Sequence, residues 1–536
     1  MNIAIAQLNF KIGDFEANTK KIIDQINLAE AQGADLIVFS ELAIGGSPAL
    51  DFLKSANFLS SVEKSIHEIA NHCTSIDCII GAPYLDAKTS KLFNAAIFIQ
   101  ERKIQSIISK KILKDQGEVL ETPYFKPGTG SQEVISNNTR ILLTFGDDLT
   151  ASANKADADL IVSLNNVPFS YLEYENRLKN LRSISNKCHS PIIEVNQVGA
   201  QGQLIYDGRS ILLNEHKVDD KESYFDELNA FDEDLRFYQF DKSEFKALQS
   251  KQANVSYSEA ALIYKALVLG IRDYFEKNGF KKALLGLSGG LDSALVAALA
   301  CAALGAENVK GILMPSMYST DHSIKDAEDL AINLGCEYEI VPIKEGFDVF
   351  KKMLEPIFKG APEDVTEQNI QARVRAVILM SISNKQGHVV LNTSNKSEAA
   401  MGYGTLYGDL IGSLSVLGDV YKTQVIEVAS YINREEVIIP VNTITKPPSA
   451  ELAPEQKDSD SLPVYEVLDP ILFQLIEKGL SGNEVIELGF DKNEVRRIEQ
   501  IMSKVGFKLF QTPPALRVSP CAFGSGFKLP LVAKFN

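Results

Sequence analysis

No stretch of this sequence is apolar for long enough to cross a bilayer, and Met1 to Phe10 reads as a strand and not as a secretion signal, so a membrane-bound or exported protein is not expected. Cysteine is sparse and unpatterned. Cys73, Cys78, Cys188, Cys301, Cys336 and Cys521 lack the spacing of a metal site, and reduced thiols in a cytoplasmic protein are their simplest account. Internal repeats and low-complexity tracts are absent, which sets aside repeat architectures. Positive charge is in deficit: 54 Lys and Arg against 70 Asp and Glu give a formal net charge of −16. That balance opposes binding to nucleic acid or an anionic membrane, and an anionic nucleotide would need a locally basic pocket or a metal. What remains is an ordinary soluble composition, 45 % hydrophobic and 23 % charged, over 536 residues. That is too long for one core, and two or more domains are expected.

The most informative stretch is Leu284 to Ala298, LLGLSGGLDSALVAA. Ala283 to Leu287 reads as a buried strand, Ser288-Gly289-Gly290 as a tight turn, and the Ala- and Leu-rich segment from Asp292 as a helix. Glycines there let the backbone approach a ligand, while the helix start offers unpaired N–H groups and the positive end of its dipole, an anion site suited to phosphate. The usual phosphate loop carries Gly-Lys-Ser/Thr, whereas this one has Asp292 and Ser293 and no lysine. A carboxylate beside a phosphate suggests Mg²⁺ between them.

Upstream, strands are expected at 1–8, 34–39, 77–80, 93–100, 104–109, 141–145, 160–164 and 192–195, with helices at 17–31 and 170–187. Such alternation implies sheets covered by helices. Lys217 to Phe245 is dense in acid and without strong periodicity. It reads as a solvated crossing segment, which divides the chain into 1–245 and 246–536. Downstream, strands at 283–287, 309–314, 337–343 and 389–391 alternate with helices at 256–277, 321–334 and 367–385, the pattern of a doubly wound parallel sheet with a nucleotide at the strand carboxyl ends.

SGGLDS resembles the ATP loop of pyrophosphate-releasing adenylating enzymes. The segments EQNIQARVR (367–375), LNTSNKSE (391–398), GYGTLYGDLIG (402–412), GDVYKTQV (418–425) and KPPSAELAPEQKDSDSLP (446–463) resemble, in order and spacing, the NAD synthetases. The resemblance implies an ATP-pyrophosphatase (adenine nucleotide alpha hydrolase-like) domain. In that family the carboxylate of deamido-NAD attacks the α-phosphorus of ATP, pyrophosphate leaves, and ammonia displaces AMP. It implies ATP contacts at Gly286, Leu287, Ser288, Gly289, Gly290, Leu291, Asp292, Ser293, Thr393, Lys422 and Ser449, with Glu451 closing the site. Asn369, Arg373, Glu398 and Lys508 are the expected substrate contacts, and Asp292 and Glu398 the expected Mg²⁺ ligands. Of the neighbouring arginines, Arg373 is preferred to Arg375 because residues two apart on a helix diverge, and Arg373 shares a face with Asn369. The proline-rich 446–463 stretch reads as a mobile lid. Homodimers or larger homo-oligomers are implied by the family alone, and nicotinate mononucleotide remains an alternative substrate.

FSELAIGGSPALDFL (39–53), LFNAAIFIQERKI (92–104) and VNQVGAQGQLIYDG (195–208) resemble the nitrilase, or carbon–nitrogen hydrolase, superfamily, in the form fused to glutamine-dependent NAD synthetases. The implied fold is an αββα sandwich. The implied machinery is a Glu general base, a Lys that stabilises the oxyanion and a Cys that attacks the glutamine amide. The first two fall on Glu41 and Lys110. The nucleophile falls on Gly146, in LLTFGDDLT, which has no side chain to attack with. The family's glutamine-holding Tyr, Ser and Lys fall on Gln116, Val167 and Glu173, the last replacing a cation by an anion. The expectation is an amidase fold without glutaminase activity, with Glu41 and Lys110 surviving as a buried pair, and with free ammonia as nitrogen donor. Glutamine-dependent synthesis through an unorthodox site is the alternative.

Overall fold

In the computed structural model the described residues are 1–153, 158–215, 223–241, 244–249, 256–449, 451–453, 456, 458, 462–524, 526–528 and 530–532. The chain forms two units, Met1–Ser256 and Tyr257–Asn536.

The first unit carries a seven-stranded and a six-stranded sheet. Strand alternation assigns each side chain to a layer. Ile3, Ile5, Leu36 and Val38 of the larger sheet meet Leu143, Phe145, Val162 and Val195 of the smaller one in a single core. The intervening Ala4 and Ala6 face Ile22, Ile26, Ile66 and Ile69 of the helices Phe15–Ala31 and Ala56–His72. On the far side, Leu142 and Ile161 face Leu149, Leu178 and Leu181 of the helices Gly146–Ala153 and Tyr174–Cys188. The layers are therefore α, β, β, α, as expected.

The crossing segment is a correction. Its described part contains the strands Tyr224–Glu227, Asp234–Asp241 and the start of Glu244–Ala247, and the second of these pairs antiparallel with Asn2–Gln7. Acid density hid an alternation in which Tyr238 and Phe240 join the inter-sheet core while Phe237 faces the helices. Two of the acids are compensated locally: Arg236 pairs with Asp234 at 2.9 Å and with buried Asp226 at 3.8 Å, and Asp226 also accepts from the Tyr238 hydroxyl at 3.2 Å. The Glu244–Ala247 strand carries the first unit's sheet past residue 245; residues 216–222 and 242–243 lie outside the described set.

The second unit has a five-stranded sheet, in the order Glu337–Ile340, Val309–Leu313, Ala283–Gly286, Val389–Asn392, Leu414–Ser415, with every pairing parallel. Chain order reverses at Ala283–Gly286, whose neighbours are the later strands Val309–Leu313 on one side and Val389–Asn392 on the other. The carboxyl ends of such strands diverge and leave a crevice between their following loops. The helix Leu291–Leu304 is apolar on nearly every face because it is buried on nearly every face. The helices Tyr465–Ile476 and Lys492–Leu509 close around Leu468, Ile471, Leu472, Val495 and Ile498.

Candidate active site

A cavity of about 580 Å³ occupies the crevice of the second unit. The end of Ala283–Gly286, the turn after it and the start of the next helix contribute Gly286, Leu287, Ser288, Gly290, Leu291, Asp292 and Ser293, while the loop after Val389–Asn392 contributes Thr393 and the short helix Lys396–Met401 contributes Glu398. Gly289 alone of the expected loop residues turns away. It has φ +78°, and a Cβ there would lie 2.2 Å from the Ser323 carbonyl oxygen, so the bend is open only to glycine. The bend is held internally: Ser293 Oγ donates to the Gly290 carbonyl at 3.0 Å, and the Gly290 N–H donates to Ser288 Oγ at 3.2 Å. Gly289→Ala is expected to weaken ATP binding about 10-fold or more through forced loop displacement, measured by equilibrium ATP titration.

Asp292, in the first turn of its helix, forms an ion pair with Lys422 and accepts from Asn395 Nδ2 at 3.3 Å. Glu398 is fixed by a capping box: its backbone N–H donates to Asn395 Oδ1 at 2.9 Å, and its carboxylate accepts from the Asn395 N–H at 3.2 Å. Desolvation, then the nearby Asp292 carboxylate, push the Glu398 acid well above the usual carboxylate range. Desolvation would lower the Lys422 pKa, but Asp292 and Glu398 outweigh it and raise it. Asp458, held by the Tyr465 hydroxyl at 3.0 Å, is a third carboxylate lining the same cavity. Among the described residues no cluster of three ligating side chains is arranged to hold a metal.

Asn369, Ser449 and Lys508 also line the cavity, with Lys508 donating to the Gly402 and Gly404 carbonyls at 2.8 and 2.7 Å. Of the two arginines it is Arg375, not Arg373, that reaches the cavity. The helix Val365–Gln386 presents Gln368, Ala372, Arg375 and Leu379 there, a stripe that passes Arg373 by and leaves it exposed, with its Nε on the Leu406 carbonyl. Burial lowers Arg375 to about 10, and its Nε donates to the Met314 carbonyl at 3.1 Å. The described part of 446–463 is tethered over the cavity: Lys446 pairs with Asp326 at 2.9 Å, and Glu451 accepts from Ser323 Oγ at 2.6 Å. Residues 450, 454–455, 457 and 459–461 of that stretch lie outside the described set.

The first unit has a cavity of about 450 Å³ at the carboxyl ends of its strands. Glu41 and Lys110 meet in it at 3.0 Å, both buried. Lys110 also contacts Glu121 at 3.0 Å and Asp147 at 3.1 Å, so its ammonium is shared by three carboxylates. Burial raises Glu41 to about 7 although Lys110 opposes it. Leu42, next to Glu41, is held at φ +52°. Asn94 bridges Glu41 and Glu121, donating to them at 2.6 and 2.9 Å. The sequence gives no sign of Glu121, which is eleven residues beyond Lys110 and returns only through the fold. Gly146 lines the cavity, and a Cβ there would lie 2.2 Å from Asn165 Oδ1. Among the described residues no cysteine lines it.

Residues 2–216 match the carbon–nitrogen hydrolase family and residues 263–512 the NAD synthase family. The chain is 40 % identical to a glutamine-dependent NAD(+) synthetase of Synechocystis sp., over 100 % of this chain and 99 % of the relative. It is 36 % identical to one of Thermotoga maritima, again over 100 % and 99 %. The fold is similar to the structure of a glutamine-dependent NAD+ synthetase from Acinetobacter baumannii in complex with ADP, with a TM-score of 0.79, 34 % identity, and 97 % of this chain and 96 % of that one covered.

Proposed function

The chain belongs to the glutamine-dependent NAD(+) synthetase family, and we propose that this member amidates deamido-NAD with free ammonia. The enzyme is an ATP-dependent NAD synthetase; the nitrogen donor is the part of the reading that departs from the relatives' names. One observation carries it: residue 146 is glycine, and the space its Cβ would fill is taken by the Asn165 amide. Amide transfer from glutamine needs a nucleophile that forms a covalent acyl intermediate and a free cation for the developing oxyanion. Among the described residues this cavity offers no thiol, and its Lys110 is already divided among three carboxylates.

The synthetase cavity supports the other half. Its glycine turn and helix start suit the phosphates of ATP, with Ser288 and Ser293 bracing the turn and Lys422 supplying a cation. Thr393 and Ser449 would complete the ATP contacts. Asn369, Glu398 and Lys508 would hold deamido-NAD, with Arg375 in the place first assigned to Arg373. Around Lys422 the three carboxylates Asp292, Glu398 and Asp458 leave that part of the cavity short of positive charge, which suits Mg²⁺, an ion that takes one or two protein carboxylates and fills its shell with phosphate and water. Asp292 and Glu398 would hold it, and when bound it would neutralise charge on the departing pyrophosphate.

Purified protein given ATP, Mg²⁺ and deamido-NAD should form NAD and AMP with ammonium and none with glutamine once contaminating ammonium is removed. Equal rates from both donors would overturn the reading. Gly146→Cys by itself should leave glutamate release from glutamine undetectable, because Asn165 crowds the new side chain and Val167 and Glu173 offer no grip on the glutamine carboxylate.

A further inference from the structure

A silent amidase would have no need of an open, charged cavity, yet one of about 450 Å³ remains. Its charges are unevenly used. Lys110 is divided among Glu41, Glu121 and Asp147, Lys114 pairs with Asp147, and Arg177 pairs with Glu194 at 2.5 Å. Every lining cation is thereby bound to a lining carboxylate. Two carboxylates are left over. Asp207 lines the cavity and is 5 % exposed, and Glu173 stands exposed on the same lining. Among the described residues neither has an ion-pair partner within 4 Å; Arg177 and Arg209 act on Asp207 only at longer range, and each is paired directly with another carboxylate, Arg177 with Glu194 and Arg209 with Glu227 at 3.1 Å. Three carboxylates, Asp207, Glu194 and Glu227, thus share two guanidinium groups, so burial of Asp207 is only partly compensated, and a cation arriving in the cavity lowers the remaining cost. The same lining offers an apolar portion, Leu42, Leu50, Val119, Leu120, Val167 and Pro168, beside the amides Asn165, Asn166, Asn176 and Asn180.

We propose that the cavity of the first unit is a binding site for a small primary amine in its ammonium form, whose charge meets Asp207 and Glu173 and whose carbon chain lies on the apolar wall. The proposal rests on the reading that the amidase is silent. The residue changes that remove glutamine's nucleophile and the cation for its carboxylate invert the selectivity of the site. A ligand with an ammonium group and no carboxylate now fits, and glutamine's carboxylate is repelled by Glu173 and finds no free cation.

Isothermal titration of the full chain with n-butylammonium chloride near neutral pH, with sodium butyrate and L-glutamine in parallel, tests this. Butylammonium should bind once per chain, and butyrate and glutamine should give no saturable heat. Asp207→Asn, which keeps the shape of the side chain, and Glu173→Lys, at an exposed position, should each weaken butylammonium at least about 10-fold, a change of about 1.4 kcal/mol. Thermal melting of each variant checks that it folds. Saturable butyrate binding, or butylammonium binding that both variants leave unchanged, overturns the site. So does the absence of butylammonium binding when the chain releases no glutamate from glutamine. Release of glutamate together with no butylammonium binding overturns the silent-amidase reading and the amine site at once.

Discussion

Lys422→Met is expected to cut ATP-dependent NAD formation by about 100- to 1,000-fold, the usual loss when one preorganised donor to developing phosphoryl charge is removed. Lys422 is the cation that faces both Asp292 and Glu398, and its Nζ is paired directly with Asp292. The helix Lys422–Ile432 begins at this residue, and its backbone N–H donates to Ser397 Oγ at 3.0 Å, so the side chain starts from a fixed point. Methionine keeps the reach and packing of the stem and deletes only the charge. The carboxylates of Asp292, Glu398 and Asp458 would then face ATP with no protein cation among them, and incoming phosphate would be repelled. The measurement is kcat and KM for ATP with saturating ammonium and deamido-NAD. A loss smaller than about 10-fold in kcat/KM would place the lysine outside the phosphate clamp.

The second large effect is on stability. Lys396 is fully buried, and its Nζ reaches Asp419 at 2.7 Å, Glu477, Ser519 Oγ at 2.9 Å and the Cys521 carbonyl at 3.1 Å. It also lies 5.0 Å from the centre of the Tyr421 ring. Asp419 in turn accepts from the N–H groups of Val518 and Ser519, each at 2.7 Å, so this one ammonium gathers the strand end, the Tyr465–Ile476 helix end and the C-terminal segment. Lys396→Met would leave two buried carboxylates uncompensated. Removing one partner of such a pair costs about 3–5 kcal/mol, which for a unit of this size lowers the thermal midpoint by roughly 10 °C. Calorimetry of the full chain reads it; a midpoint within about 2 °C of the parent would assign the network no stabilising role. The nucleotide cavity would feel the loss as well, because Lys396 opens the short helix that carries Glu398.

Much of this architecture was legible from short-range signals. Period-two strands such as Asn2–Gln7, and the apolar helix Leu291–Leu304 behind its glycine turn, announce themselves because each side chain's burial is set by its immediate neighbours. The Asp234–Asp241 strand is hidden in the sequence because its acids suggest a solvated segment, whereas the fold sets Arg236 against Asp234. That Arg375 and not Arg373 lines the cavity is hidden in the sequence for a related reason. Periodicity fixes which residues share a helix face but not which face turns to the ligand, and that depends on how Val365–Gln386 packs beside the Ala283–Gly286 strand.

By itself the sequence determined that position 146 has no side chain to attack with, since Gly146 has none under any folding. It also determined the glycine-dependent turn at Ser288-Gly289-Gly290 and the carboxylate, Asp292, that follows it. Only the tertiary structure decided that Lys110 is shared by Glu41, Glu121 and Asp147, that Asn165 stands where a residue-146 side chain would be, and that Asp207 is buried on a cavity whose Arg177 is paired directly with Glu194. These are statements about which distant groups are brought within a few ångströms inside a low-dielectric interior. There charge pairing depends on separation in space, and separation along the chain carries almost no information about it.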